Sequence, residues 1–303
     1  MQSGMVMKMD AELKFNTATS SGTTEENELF DLLQSSEQAC LDYLYQLKWP
    51  NGFMCPYCGH GHAYTITTRR QPLFECASCR HQTSLTAGTI MERSRTPLTK
   101  WFTAIRCMSN PAVGLNAVSL QRLLHVTYKT AWSMLHAIRE AMSHDEGMLR
   151  LSGHVLAHSA TLARWDVAVG YYIPPSTASV LVGVSLTEEG RISRVQMQAL
   201  DASDYQGGEP SMEVITDFCD CVTVQGNPAA SREIRRYGPR KHKKGWSIVK
   251  QAGNWLNTTF RGIGAKYRQQ YLNEFCCRMN LILAGLSPFR EISLMCVRPT
   301  SFL

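Results

Sequence analysis

Four cysteines, Cys55, Cys58, Cys76 and Cys79, stand as two C-x2-C pairs with seventeen residues between them. Thiolates so spaced can close a tetrahedron around Zn²⁺, which commits the segment to two tight knuckles joined by a hairpin. Pro56 and Gly59 supply turn chemistry that brings backbone amides to the sulfurs. Between the pairs, residues 63–67 and 73–75 have strand composition around an Arg69-Arg70-Gln71 turn, which predicts the hairpin of a zinc ribbon. His60, His62 and His81 could also ligate, but four cysteines already complete the coordination. The cofactor expected is structural zinc.

The chain around this array has 303 residues, 44% hydrophobic and 18% charged, a globular composition with room for two or three domains. No run of eighteen apolar residues occurs, and with Asp10, Glu12, Glu25 and Glu26 among Ser and Thr the first residues do not read as a basic-then-apolar signal peptide. The expectation is a cytoplasmic protein with no membrane partner. Eleven cysteines in so long a chain do not make a disulfide framework, and those outside the array fall among apolar residues, as small buried hydrophobes do. Residues 1–48 hold three Lys/Arg against eight Asp/Glu, whereas the other 255 residues hold 28 against 17. That excess favours a polyanionic partner, nucleic acid first.

Along the chain, residues 1–26 show no apolar period and read as a disordered tail. Leu29, Phe30, Leu33, Cys40, Leu41, Leu44 and Leu47 follow helical spacing with a break near Ser35-Ser36. After the array, Pro97 opens a helix through Met108, Ser119 is placed to cap a short helix, and His125-Val126-Thr127 turns into a longer one from Tyr128 to Met142. Three helices in this order fit a helix-turn-helix, although any helical hairpin in a core has the same pattern. The reading helix would present Thr127, Tyr128, Lys129, Thr130 and Ser133 to base edges, with Arg139 on phosphate and Trp132, Leu135 and Ile138 buried. Beyond residue 153 the period turns to β over 167–173, 179–186 and 192–200, with 188–191 as a hairpin turn and 212–216 as a further apolar run ending in Asp217. Between residues 232 and 250 lie Arg235, Arg236, Arg240, Lys241, Lys243, Lys244 and Lys250, with Trp246 interleaved. Such a run reads as a phosphate-contact surface or as a solvated loop.

Residues 37–41 (EQACL), 49–53 (WPNGF), the cysteine array, 82–90 (QTSLTAGTI), 129–132 (KTAW), 151–153 (LSG) and 271–275 (YLNEF) together resemble bacterial insertion-sequence transposases of the ISXO-like type. The resemblance implies a multi-domain α+β protein. Residues 27–92 would be a helix plus zinc ribbon, 93–150 a helix-turn-helix, 151–285 an α/β ribonuclease-H-like domain and 286–303 an irregular tail. It further implies double-stranded DNA as partner, leaves a homo-oligomer open, and calls for three carboxylates around Mg²⁺. By its placement His158 occupies the first Asp position, where neutral imidazole is a poor Mg²⁺ ligand. Thr216-Asp217 matches the second, at the end of a strand, making Asp217 the one retained catalytic candidate. No Asp or Glu occurs from 234 to 273, where the third would lie. The expectation is therefore a DNA-binding relative that holds zinc, does not hold Mg²⁺ and has lost strand transfer. An active transposase with a divergent metal site and a zinc-ribbon module that binds protein are the other readings.

Overall fold

The protein is described by a computed structural model over residues 24–68, 71–110, 114–145, 150–162, 179–206, 209–223, 232–235, 243–260, 263 and 265–298. Helices α1 (Thr24–Ser35) and α2 (Glu37–Lys48) open it, parted at Ser36 as the spacing predicts. Ser36 has extended backbone, and its hydroxyl accepts the Ala39 N–H, so it caps α2 instead of continuing α1. Strands β1 (Ala63–Ile66), β2 (Leu73–Cys76) and β3 (Gln82–Ser84) form an antiparallel ribbon in which Ala63 pairs with Cys76 and Phe74 with Thr83. The third strand is an addition to the expected hairpin.

Helices α3 (Leu98–Ser109), α4 (Ala117–Leu124) and α5 (Tyr128–Ser143) follow. The cap of α4 is Asn116, not Ser119: Asn116 Oδ1 accepts the Ser119 N–H at 2.9 Å. Leu120 and Leu124 are buried, whereas Leu123 is half exposed. The turn at His125 adopts a left-handed conformation, and Thr127 caps α5 through the Thr130 N–H.

Strands β4 (His154–Thr161), β5 (Ser179–Leu186) and β6 (Ile192–Ala199) form an antiparallel meander, with the predicted turn closed by Thr187 N–H to the Arg191 carbonyl. The strand expected over 167–173 lies outside the described residues. A two-residue pairing, β7 (Tyr205–Gln206) with β8 (Glu209–Pro210), leads into helix α6 (Met212–Val222). Strand β9 (Arg232–Arg235) then joins the meander parallel to β4, giving the order β6-β5-β4-β9. Helices α7 (Lys243–Thr259), α8 (Arg268–Leu283) and α9 (Pro288–Val297) complete the chain.

Three expectations fail here, in whole or in part. The 212–216 run is helical because Ser211 caps it and Ile215, Phe218, Cys219 and Val222 recur at three- and four-residue spacing, so Thr216-Asp217 ends no strand. The tail expected at 286–303 is also in part a helix, since Ser287 caps α9, Pro288 occupies its first turn, and Phe289, Ile292, Met295 and Cys296 are buried. Of the tail expected at 1–26, residues 24–26 belong to α1.

Three cores result. The largest joins α1 to α5, the ribbon and α9, with Cys277 and Leu281 of α8. The second lies between one sheet face and helices α7 and α8, and the third between the opposite face and α6. Gly183 on β5 lets α6 close, because a Cβ there would lie 2.7 Å from Leu151 Cδ1 and 3.3 Å from the Phe218 ring.

The open edge of β6 is covered by side chains of α8. Asn280 donates to the Val195 carbonyl at 2.9 Å and accepts the Val195 N–H at 2.8 Å; Gln269 does the same for the Met197 carbonyl and Ala199 N–H at 2.9 and 2.8 Å. These amides substitute for a neighbouring strand. Replacing Asn280 by Leu strands a donor and an acceptor, so urea unfolding is expected to show a loss of about 2–4 kcal/mol; a loss below about 0.5 kcal/mol would show that water satisfies that edge.

Candidate metal centre and nucleic-acid interface

The two knuckles are near copies of each other. In the first, Cys55 N–H donates to the His60 carbonyl and Gly59 N–H to that of Cys55; in the second, Cys76 N–H donates to His81 and Arg80 N–H to Cys76. The turn position is left-handed in both, at Gly59 with φ 73° and Arg80 with φ 62°. The four sulfurs lie within 4.8 Å of one another, with Cys55–Cys79 and Cys58–Cys76 each at 3.6 Å. A tetrahedron of Zn–S bonds near 2.3 Å has sulfur separations of about 3.8 Å, so the cluster fits zinc. The Cys79 backbone amide holds the Cys76 thiol down at about 7. Burial works to raise the Cys55 thiol, but the Cys58 and Tyr57 amides leave it below its ordinary value.

The ribbon is seated on the helical core by aromatics. Trp49 meets Phe53 at 4.9 Å and Phe74 at 5.1 Å between centroids, and Tyr45 lies 5.7 Å from Phe74. Lys48 is a contact that sequence reasoning missed: its Nζ donates to the carbonyls of Ser84, Leu85 and Ala87, pinning the segment after β3 to the end of α2. Outward, Tyr57 and Tyr64 are exposed, with His81 stacked on the first and the Arg80 guanidinium over the second. Arg80 also pairs with Glu75 at 3.0 Å, and the Arg69-Arg70 tip lies outside the described residues.

On α5, Thr127, Tyr128, Lys129 and Ser133 are exposed and Thr130 is half-buried, its hydroxyl 2.9 Å from that of Thr127. Thr127 to Thr130 thus stand together at the start of α5, with Ser133 in the next turn. Leu135 and Ile138 are buried as expected, while Trp132 is half-buried and stacked on His136. Arg139 does not reach solvent: it is buried in an ion pair with Glu274, because its position on α5 faces α8.

The basic run is not a single loop. Residues 232–235 form β9 and 243–250 the first turns of α7, with Arg236, Arg240 and Lys241 outside the described residues. Lys244 and Lys250 are exposed, Trp246 is 40% exposed, and Lys244 Nζ donates to the Gly190 carbonyl at the β5–β6 turn.

His158 is buried on β4, its Nδ1 3.1 Å from the Ser159 carbonyl. Its neighbours at the same level are Val182 on β5 and Arg235 on β9. Gly245 of α7 closes over it, since a Cβ at that position would collide with Nε2. Asp217 lies exposed on α6, and α6 packs on the opposite face of the sheet. Mg²⁺ needs converging oxygen ligands; level with His158 stand Val182 and the Arg235 position, and Glu233 lies two residues earlier on β9, opposite Leu156. Among the described residues no group of three or more metal-ligating side chains lies there.

With this geometry, residues 35–82 match the family model of the transposase zinc-ribbon domain. The match takes in α2, both knuckles and the start of β3. No curated protein and no solved structure matches the chain. Among the described residues no helix is long and apolar enough to cross a membrane.

Metal analysis of purified protein should find one zinc per chain, and chelation or Cys76→Ser should unfold the ribbon with a red shift of Trp49 emission, since apparent zinc binding energies in such modules are on the order of 10–16 kcal/mol. A metal-free protein with an unchanged spectrum would contradict the assignment. At the sheet, Gly245→Ala should destabilise, although an ordinary helical Gly→Ala change gains about 0.5–1 kcal/mol. His158→Ala should relieve most of that cost, with a coupling energy of about 1–3 kcal/mol in a double-mutant cycle; additive effects would refute the contact.

Proposed function

We propose that this chain is an insertion-sequence transposase-family protein that binds specific duplex DNA and no longer transfers strands. The observation that carries the reading is the transposase zinc-ribbon match over residues 35–82. The three helices behind the ribbon, with a short turn before α5 and an exposed first turn on α5, support reading α4–α5 as a helix-turn-helix. Thr127, Tyr128, Lys129, Thr130 and Ser133 then meet base edges. The basic first turns of α7, with Lys243, Lys244 and Lys250, meet phosphate together with the arginines of 235–240. A mixed sheet with helices on both faces supports a ribonuclease-H-like origin for the rest.

The surroundings of His158 support the reading that chemistry is lost. A strand-transfer site places hard cations against the attacking and leaving oxygens, and here a helix backbone stands where such ions would need room. Asp217, the one acid that matched by sequence, is on the other side of the sheet.

Enrichment of duplexes from a random pool should recover a defined sequence. If about five side chains meet phosphate, log K against log salt should have a slope of roughly −4 to −5. Incubation of that duplex, or of the element's own terminal DNA, with Mg²⁺ or Mn²⁺ should give neither cleavage nor joining. Joining that Asp217→Ala abolishes would overturn the loss of activity, and failure to enrich any duplex would leave the ribbon as a protein-binding module.

A further inference from the structure

Among the described residues, three of the most deeply buried charged side chains meet at one point: Arg139, Glu274 and Arg278. Glu274 Oε2 accepts from Arg139 Nε at 2.6 Å, and Oε1 accepts from Arg278 Nη1 at 3.2 Å. Each guanidinium then donates a second N–H to backbone. Arg139 Nη2 reaches the Leu115 carbonyl at 3.3 Å, and Arg278 Nη2 reaches that of Asn110. Asn110 ends α3, Leu115 immediately precedes the cap of α4, and Arg139 belongs to α5. A single carboxylate on α8 therefore holds, through two guanidinium forks, a point on each of the three helices.

Other contacts repeat the pattern. Asn273 donates to Ser143 Oγ at 3.0 Å and Gln270 to Glu140 Oε2 at 2.7 Å, and Tyr267 lies edge-on to Trp132 and His136, both 5.7 Å away. The Arg139 guanidinium sits 4.2 Å from the centre of the Tyr271 ring. The α4 cap is held from the sheet side as well, since Asn116 Nδ2 donates to the Thr259 carbonyl at the end of α7 at 3.1 Å. The inner face of α5 is thus fastened to α8 and to Tyr267 just before it, and its first turn is left outward.

Buried ion clusters are weak sources of stability, because desolvation consumes most of the attraction and well-packed apolar residues often serve as well. What an arginine fork adds is direction: planar donors on a fixed acceptor set rotation and register where apolar packing alone allows sliding. We propose that Glu274 is a positioning residue for DNA recognition, fixing the rotation of α5 against α8 so that the outward first turn of α5 and the basic start of α7 engage one duplex in register. This rests on α5 being the DNA-reading helix.

The test uses the zinc-loaded full chain and two duplexes: the sequence the wild type enriches from a random pool and a scrambled version of it. Two variants are compared, Glu274→Gln and the apolar set Arg139→Met, Glu274→Leu and Arg278→Met, the second because it removes the burial of unpaired charge that could unfold the first. In a variant that melts cooperatively, affinity for the enriched duplex should fall at least tenfold while affinity for the scrambled one stays within twofold. A folded variant that keeps the wild-type ratio of the two affinities overturns the proposal. So does failure of both variants to fold, which would make the cluster structural only. A wild type that enriches no duplex is a separate result, visible before any variant is made; it removes the DNA-reading function of α5 and this inference with it.

Discussion

From Leu272 to Leu281 helix α8 is buried around its circumference, and both halves of the molecule are built against it. Leu272, Phe275, Cys276 and Met279 fill the core under the sheet, while Cys277 and Leu281 fill the core of the helical module. A helix enclosed on all sides must satisfy every polar side chain internally. Gln269 and Asn280 serve the edge of β6, Asn273 reaches α5, and Glu274 is taken up by two arginines. The same helix thus supplies apolar area to two cores, finishes the sheet and sets the relation between them. A division of the chain into independent domains near residue 150 misses this, because the later segment returns to complete the earlier one.

The space around His158 is set by packing between β4 and α7. Its imidazole fills space against Gly245, and the absence of a Cβ there allows α7 to approach. Helix α7 contributes Ile248, Val249, Ala252 and Trp255 to the same core, so that approach is tied to packing along its length. A carboxylate placed at 158 would meet the glycine backbone above it and the arginine position beside it.

Patterns of short range were legible in the sequence. The knuckles, the break at Ser36, helices α3 and α5, and the β5–β6 hairpin with its turn all depend on residues within a few positions of one another, and their chemistry fixes them locally. Misreadings arose where two signals competed or the partner was remote. Residues 212–216 are apolar enough for a strand, but the continuation to Val222 is helical and the Ser211 cap decides it. Helix α9 has its start signature in Ser287-Pro288, yet what makes it stable is a groove formed some two hundred residues earlier. Arg139 reads as an exposed basic group because nothing near it in sequence announces Glu274. A lone acid inside the apolar stretch of α8, four residues before an arginine, was the available sign of a buried pair.

The packing of α9 has a consequence for how the protein is made. Phe289 stacks near Tyr43 and meets Phe30, Ser287 bonds Glu26, and the Cys296 carbonyl accepts the Ile90 N–H. During synthesis the ribbon and its helices therefore emerge with an open groove that stays exposed until α9 has also left the ribosome. A product that stops before α9 carries an incomplete front core, so the ribbon module and that helix mature together.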